Sequence, residues 1–258
     1  MVMDAFLLKV LLSFLVGGLY IAFTIWVSEK FGSKIGGIII GLPSTVLMSL
    51  LFLAWTKNTS AAVAAIPIVP VAVAVNCLFV VAFIFFYKYG QAMALLVSLL
   101  VWFALTLPLV LWHIDNIQLS LILSAVYFLI AVLLLHRFPH RKLERFSFAP
   151  KIFFFRTVFS GMIVALAVYL GTILNPLWGG LFGSFPAAFS SSMLLITKAH
   201  NIDFAASVAR TMPYGSIGNA IFAIAFFFLV PAYGLFIGTV LAYLSSLITA
   251  VILYKSIR

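Results

Sequence analysis

Residues 36–51 read GGIIIGLPSTVLMSLL, and residues 179–194 read GGLFGSFPAAFSSSML. Both stretches begin with a glycine pair, reach a single proline, and continue with small, hydroxyl-bearing and apolar residues. They lie 143 positions apart in the chain. Glycine and proline have specific backbone roles, so their shared register in an otherwise apolar background indicates an internal duplication.

The same spacing extends to other residues of restricted chemistry. The aligned pairs are Pro43 and Pro186, Asn58 and Asn201, Pro70 and Pro213, and Asn76 and Asn219. No gap is needed to align them. We therefore predict two related units, one in each half of the chain.

The composition places the chain in a membrane. It is 66% hydrophobic and 8% charged, whereas average soluble domains carry about 25% charged residues. A single cysteine excludes an intrachain disulfide. Motifs for metal-dependent, phosphate-binding or serine-based enzymes are absent from the sequence, so we predict a protein that is not an enzyme and that needs no metal or cofactor.

Nine apolar segments have the length of about 20 residues that a membrane-spanning helix needs. Backbone groups in lipid must be satisfied within each segment, which favours helices. The predicted fold class is all-α, a polytopic membrane protein with nine transmembrane helices. The segments are 5–28, 35–56, 62–87, 91–113, 117–136, 151–173, 177–197, 204–229 and 231–254.

The formal net charge of +10 comes from cations between the apolar segments. Most of them, with Arg156 counted among them, fall in alternate loops, and Lys9 and Lys57 fall on the other side. This asymmetry predicts a multi-pass cell-membrane protein with its N-terminus outside and its C-terminus in the cytoplasm. The basic stretch 136–151 either orients the chain or contacts anionic lipid headgroups. Membrane lipids are therefore the expected partners, and nucleic acid is not.

The nine spans divide into a first four-helix repeat in residues 1–115, a linker helix and basic loop in residues 116–150, and a second four-helix repeat in residues 151–258. An odd linker helix makes the two repeats enter the membrane from opposite sides. Inverted repeats of this kind are a common plan for secondary transporters.

The prolines of the two repeated stretches, Pro43 and Pro186, are predicted to break the second and seventh spans. Proline removes a helix hydrogen bond and clashes with the preceding turn, and broken helices in corresponding positions point to a substrate site. The alternative is a simple kink with glycines for close packing. If the breaks form a site, its hydroxyl groups are Ser44, Thr45, Ser190 and Ser191.

Two amides, Asn76 and Asn219, lie well inside spans and need polar partners. Substrate contact and hydrogen bonding between helices remain equally open for them. Asn219 is expected to share one helical face with Ser207 and Thr211. The asparagines at span ends, Asn58 and Asn201, are expected to have capping or turn roles.

Arg210 is the strong charge predicted inside a span, so it is a candidate for binding an anionic group. It also lies close enough to the cytoplasmic end to extend to the surface instead. Tyr214, four residues on, would line the same face, and Asp203 would be a partner two turns earlier.

Two duplicated four-helix units resemble the small multidrug resistance and drug/metabolite transporter group, over residues 5–113 and 151–254. The resemblance implies one pathway built between the halves. The first helix reads FLVGGLYIA at residues 14–22 and lacks the central glutamate of that group, so proton-driven export is not implied. The stretch GLFGSFPAAFSSSML, residues 180–194, is also similar to GlpM-like bacterial inner-membrane proteins, whose activity is not established.

The sequence thus favours a secondary transporter of a small or amphipathic solute that is anionic or lipid-linked. The alternatives are a non-transporting membrane factor that assists an envelope or polysaccharide assembly complex, and a lipid scramblase or channel. A cavity between the repeats would favour transport, and solid packing there would favour a scaffold. A homodimer is left open.

Overall fold

The computed structural model describes residues 2–30, 39, 42–138 and 150–256. Within these ranges the chain forms helices and short connections, and no strand occurs. The predicted all-α class is therefore confirmed. The Gly36–Gly37 pair, most of the early part of the second predicted span and much of the basic stretch lie outside the described residues.

The described ranges contain twelve α-helices, which we number in chain order. In the first part of the chain they are α1 (Val2–Lys30), α2 (Ser44–Thr56), α3 (Thr59–Ala64), α4 (Val69–Phe86), α5 (Gln91–Leu111) and α6 (Ile117–Leu135). In the second part they are α7 (Pro150–Ile173), α8 (Pro176–Gly183), α9 (Ala187–Ala199), α10 (Ile202–Ala209), α11 (Met212–Tyr233) and α12 (Leu235–Ser256). Two 3₁₀ turns, Ile66–Ile68 and Tyr87–Tyr89, flank α4.

Eight helical segments of the described chain are long and apolar enough to cross a membrane, by length and composition. They are 5–24, 59–89, 91–111, 117–135, 153–173, 176–198, 202–233 and 235–253. The protein is therefore a multi-pass α-helical membrane protein. The second predicted span, 35–56, is described mainly as the 13-residue α2.

Three of the long spans are interrupted inside, and one of them, 176–198, is divided into α8 and α9. The third predicted span consists of α3, a 3₁₀ turn and α4, and the eighth consists of α10 and α11. Pro67 and Pro213 lie at these interruptions, where a residue without an N–H cannot continue the helical hydrogen bonds. Ser207 therefore belongs to α10 and Thr211 to the interruption. The continuous helical face predicted to link them to Asn219 is wrong.

The asparagines at the span ends are helix caps, as predicted. The side-chain oxygen of Asn58 accepts from the backbone N–H of Ala61 at 2.8 Å, and that of Asn201 accepts from Phe204 at 2.9 Å. Each asparagine is the N-cap of its helix, with an extended backbone. Such a bond satisfies one of the free donors in the first helical turn.

The spacing of the two halves is preserved in the starts of the helices. The pairs α2 and α9, α3 and α10, and α4 and α11 each begin 143 residues apart, but α5 and α12 begin 144 residues apart. The predicted gap-free register is therefore wrong for the last helix of each half. The turn before that helix uses Gly90 at φ 104° in one half and Gly234 at φ 77° in the other, a backbone region that glycine enters readily.

Helix α4 forms the centre of the bundle. It packs against α5, the linker helix α6, and α11 of the other half. Its span is 89% buried, whereas the span containing α11 is 44% buried. The linker helix accounts for part of this difference, because it packs closely along α4 and makes few contacts with α11.

Helices α1 and α7 cross at a pair of glycines that occupy equivalent positions in the two halves. A Cβ added to Gly18 would lie 3.1 Å from the carbonyl oxygen of Thr157, and one added to Gly161 would lie 2.6 Å from that of Phe14. Phe14 and Thr157 are also equivalent, so the two contacts exchange the halves. The two helices run antiparallel, because the contacting residues in α7 have lower sequence numbers as those in α1 have higher ones.

Side-chain contacts define the two ends of the bundle. At the first end, Lys9 donates to the carbonyl oxygen of Trp55 at 2.9 Å, and Lys57 donates to that of Thr172 at 3.4 Å. The second end, on the opposite side of the bundle, carries Gln91, Phe138, Leu194 and Arg210, which are joined by two such contacts.

Candidate functional site

The two repeated prolines have nearly the same backbone geometry. Pro43 has φ −74° and ψ 50°, and Pro186 has φ −74° and ψ 42°. In both places the residue after the proline donates its N–H to the residue before it, at 2.7 Å. A new helix then starts, α2 in one half and α9 in the other.

The break at Pro186 lies inside the bundle. Helix α8 ends at Gly183, and α9 begins at Ala187. Helix α8 fits between α7 and the interruption before α4 because it has no side chain at two positions. Gly179 packs against Gly171, and Gly180 packs against the backbone around residue 65. These close approaches bring the broken helix to the centre of the protein.

A buried polar network secures the break at Pro186. The amide nitrogen of Asn76 donates to the carbonyl oxygen of Ser184 at 3.0 Å, and its amide oxygen accepts from the indole N–H of Trp102 at 2.7 Å. Trp102 is fully buried, and Asn76 is 4% exposed. Asn76 thus links α4, α5 and the broken helix. Both ends of its buried amide have hydrogen-bond partners, as burial of a polar group requires.

Aromatic rings fill the space beside this network. The ring of Phe185 lies 5.3 Å from that of Trp102 and 6.3 Å from each of Phe103 and Phe159, between ring centroids. Edge-to-face pairs at such distances are favourable beyond their buried area. The break at Pro186 is therefore tightly packed.

The equivalent space beside Pro43 is not filled. Trp102 and Phe103 correspond to Ser246 and Leu247, counted from the start of α5 and of α12, and Phe185 corresponds to Leu42. A cavity of about 210 Å³ opens here. Its described lining residues are Tyr20, Phe23, Thr24, Val27, Ile39, Leu42, Tyr243 and Leu247.

Two buried oxygens without partners lie in α11 and α12, and α12 also lines this cavity. The amide oxygen of Asn219 and the hydroxyl of Ser246 have no hydrogen-bond partner among the described residues. Asn219 is 9% exposed, and Ser246 is fully buried. Unsatisfied buried polar atoms are uncommon in native proteins, so this pair marks a candidate polar site near the cavity.

The predicted hydroxyls have mixed environments. Ser190 and Ser191 donate to the carbonyls of Pro186 and Ala187, one turn earlier in the chain, at 2.7 and 2.8 Å. The remaining pair, Ser44 and Thr45, occupies the first turn of α2. Ser44 is buried and Thr45 is half-buried.

The structure adds a residue that the sequence did not single out. Arg156 in α7 is 1% exposed and donates to the hydroxyl of Ser192 in α9 at 3.0 Å. It lies within the membrane-spanning stretch 153–173. The charge asymmetry had counted Arg156 as a loop cation, which is wrong. Charged residues buried in spans are costly and are usually functional.

Arg156 lies inside its span near the second end, three residues after Phe153. It is five residues from Gly161, the crossing point with α1, which corresponds to about 7 Å along the helix. Because α1 and α7 run antiparallel, Arg156 has the same depth as Tyr20 and Phe23, which line the cavity beside Pro43. A sequence signal did exist: its equivalent in the first half is Ser13, so the cation is specific to one half.

Arg210 lies at the second end and binds the linker helix. Its guanidinium donates to the carbonyl oxygen of Phe138 at 2.9 Å and lies 3.0 Å from Nδ1 of His136. Tyr214 lines the same small recess as Arg210 and His136. The structure therefore places this predicted pair away from both proline breaks and brings it to the end of α6.

Metal chemistry finds no support in the described part of the chain. No group of three or more His, Cys, Asp or Glu residues there could hold a metal ion. The single cysteine, Cys77, is buried in α4.

The fold and these sites define a multi-pass membrane protein whose described spans include interrupted helices. A family profile described as a protein of unknown function (DUF3147) matches residues 10–117. That range begins inside α1 and ends just after α5, at the first residue of α6. No curated protein and no solved structure shows a significant match.

Proposed function

We propose that the protein is a secondary transporter in which two inverted repeats exchange access to a central site. The solute is small or amphipathic and carries a negative group or a lipid link. Alternating access in inverted-repeat proteins comes from the movement of one repeat against the other.

The exchanged contacts between α1 and α7 carry this proposal. Gly18 meets Thr157, and Gly161 meets Phe14, as a two-fold relation between the halves requires. In such a relation each contact has a mirror contact between equivalent residues. Because the helices are antiparallel, the two-fold axis would lie in the membrane plane. The family profile that matches residues 10–117 supports the first repeat as a unit.

The different packing of the two breaks supports a protein caught in one of two states. Around Pro186 the space is closed by aromatic rings and the Asn76 network. Around Pro43 a cavity and unpartnered oxygens remain. The lysine contacts at the first end also hold α2 and α7 there. We therefore assign the structure to a state closed at the first end.

The chemistry of the centre supports an amphipathic anion as the solute. Arg156 supplies a cation at the depth of the cavity, and the cavity walls are mainly apolar. Arg210 is retained as a second candidate for an anionic group, at the membrane surface. The positive second end would face the cytoplasm under the asymmetry of loop charges.

Sided thiol labelling tests the proposal. Thr45 and Ala188 are equivalent, half-buried residues in the first turn after each proline. Replacing the single Cys77 by alanine gives a background for Thr45→Cys and Ala188→Cys. We expect a membrane-impermeant maleimide to reach Thr45→Cys from the second-end side and Ala188→Cys, more slowly, from the first-end side of sealed vesicles.

The control is Ile248→Cys on the lipid-facing side of α12, where 60% of the side chain is exposed in the absence of lipid. It should react slowly from both sides. Labelling of both test cysteines from the same side, or of neither, would contradict alternating access and would favour a static membrane scaffold.

A further inference from the structure

Equivalent positions in the two halves differ most beside the two prolines. In the first half, Trp102 places an indole N–H on the amide oxygen of Asn76 at 2.7 Å. In the second half the residue equivalent to Trp102 is Ser246, and the amide oxygen of Asn219 has no partner among the described residues. The second half thus lacks both a large ring and a hydrogen-bond donor at that place.

A cavity lies beside Pro43, where the second half has Ser246 in place of an aromatic ring. Leu42 and Leu247 are equivalent to Phe185 and Phe103, which pack beside the Asn76 network, and both leucines line the cavity of about 210 Å³. A cavity of this size is large compared with the roughly 30 Å³ that one water occupies in the liquid. It therefore has room for a small organic molecule rather than a single water.

The cavity and the unpartnered oxygens meet at Gly218. A Cβ added to Gly218 would lie 3.3 Å from the Ser246 hydroxyl and 3.7 Å from Cδ2 of Leu42. Asn219 is the next residue in α11. Ser246 is thus close to the cavity wall at Leu42, and it stands at the position equivalent to Trp102, whose indole reaches the amide of Asn76 in the other half.

The polar atoms select the kind of ligand. An amide oxygen can only accept, so its partner must donate an N–H or O–H. Two phenol hydroxyls also lie at the cavity wall, where Tyr20 donates to Tyr243 at 3.3 Å. No cation lines the cavity among the described residues.

We propose that the cavity beside Pro43 binds a small amphipathic molecule of aromatic size, whose N–H or O–H group donates to Asn219. The ligand takes the place that the Trp102 side chain holds in the other half. This rests on the proposed function and adds a hydrogen-bond donor to the small amphipathic solute proposed there. A negative group on that solute would lie outside this cavity, because no cation lines it among the described residues. Binding itself is measured without transport.

Indole and 1-methylindole form a matched pair of probes, because only indole has an N–H. Calorimetric titration of the full chain in lipid nanodiscs, with empty nanodiscs as the partition control, should show saturable binding of indole. We expect 1-methylindole to bind about tenfold more weakly, as the loss of one buried hydrogen bond implies.

Two substitutions locate the site. Asn219→Leu should remove the difference between the two probes, and Ser246→Trp should abolish binding of both by filling the cavity. Ile248→Trp adds the same ring to the exposed side of α12 and should leave binding unchanged. A raised unfolding temperature of Ser246→Trp would show that the protein still folds and that the new indole occupies the space.

Absence of saturable indole binding would overturn the proposal. Equal binding of the two probes to the wild-type protein would also overturn it and would indicate a purely apolar occupant such as a lipid chain. If indole fails to bind but Thr45→Cys and Ala188→Cys still label from opposite sides, the ligand class is wrong and the transport proposal stands. The reverse pair of results would reject transport alone.

Discussion

Single buried polar residues distinguish the two halves of this protein. Arg156 donates to Ser192 in one half, where the other half has Ser13 and Ser49 at the equivalent positions. Ser49 is buried, and its hydroxyl has no hydrogen-bond partner among the residues that the structure describes. A hydrogen bond between a hydroxyl and a charged group contributes more to stability than one between a hydroxyl and a carbonyl of its own helix.

Ser192→Ala is therefore expected to lower the free energy of unfolding by about 1.5–3 kcal/mol, because a buried charged donor loses its acceptor. Ser191→Ala is the matched control, since Ser191 donates to Ala187 within α9. It should cost about 0.5–1.5 kcal/mol. Denaturant unfolding in detergent measures both, and equal losses would show that the bond to Arg156 has no special weight.

The repeat predicts equal roles for Asn76 and Asn219, but their surroundings differ. Asn76→Leu would leave the indole N–H of Trp102 and the carbonyl of Ser184 without partners. We expect it to destabilise the protein by about 1–3 kcal/mol more than Asn219→Leu, because the amide oxygen of Asn219 has no hydrogen-bond partner among the described residues. Thermal unfolding of the two variants compares them directly. A larger effect of Asn219→Leu would contradict this asymmetry.

At the scale of the helices, glycines allow α1 and α7 to pack closely where they cross. A Cβ on Gly161 would lie 2.6 Å from the backbone oxygen of Phe14, whereas a Cβ on Gly17 would meet the side-chain end of Val164 at 2.9 Å. A backbone atom cannot move away without shifting its helix. The side chain of Val164, whose Cβ would lie 3.1 Å away, can give only a few tenths of an ångström, but the starting overlap is smaller.

Gly161→Ala should therefore destabilise the protein by about 1–3 kcal/mol, the range for overpacked sites. Gly17→Ala, the matched control, should cost less, and its better helix propensity would offset part of the strain by about 1 kcal/mol. The measurement is the unfolding midpoint of each variant in the same detergent. Similar midpoints would mean that α1 and α7 do not cross at Gly161.

Much of the element order could be predicted from the sequence, because apolar length and proline position act locally. The breaks at the prolines and the caps at Asn58 and Asn201 follow from backbone chemistry. The interruption before α11 was not predicted, because residues 204–229 form one long and mainly apolar segment in the sequence. The extra residue before α12 was not predicted either. The turn glycines Gly90 and Gly234 lie 144 residues apart, which is close to the 143 residues that separate the other pairs.

The candidate site was harder to predict, because it depends on distances between helices. Arg156 looked like a loop cation near the start of its helix, and only the crossing with α1 shows its depth. The cavity depends on which large side chain is replaced by a small one in the other half. The exchange of Trp102 for Ser246 is visible in the sequence only after the helix starts are known.

At the scale of the whole molecule, lysines at the first end join neighbouring helices, and in the proposed transporter these contacts would close that end. Lys9 donates to the carbonyl oxygen of Trp55 and lies 5.2 Å from the centre of its ring. Its equivalent in the other half is Ile152, which cannot form such bonds. The difference favours closure of the first end over the second.

Lys9→Met should weaken that closure while keeping the length of the side chain. Loss of a cation–π contact of about 0.5–1 kcal/mol would raise the rate at which Ala188→Cys is labelled from the first-end side by about two- to fivefold. Lys88→Met is the control, because Lys88 lies over the neighbouring Tyr89 at the other end. An unchanged rate in Lys9→Met would remove Lys9 from the closure.

The central claim is that the two halves lie in the membrane in opposite orientations. Peptide tags attached before residue 1 and after residue 258 test it through their accessibility to protease in sealed vesicles of known sidedness. The account predicts that one tag is cleaved from outside and the other only after the vesicles are opened. Cleavage of both tags from the same side would mean an even number of crossings and would contradict the inverted arrangement.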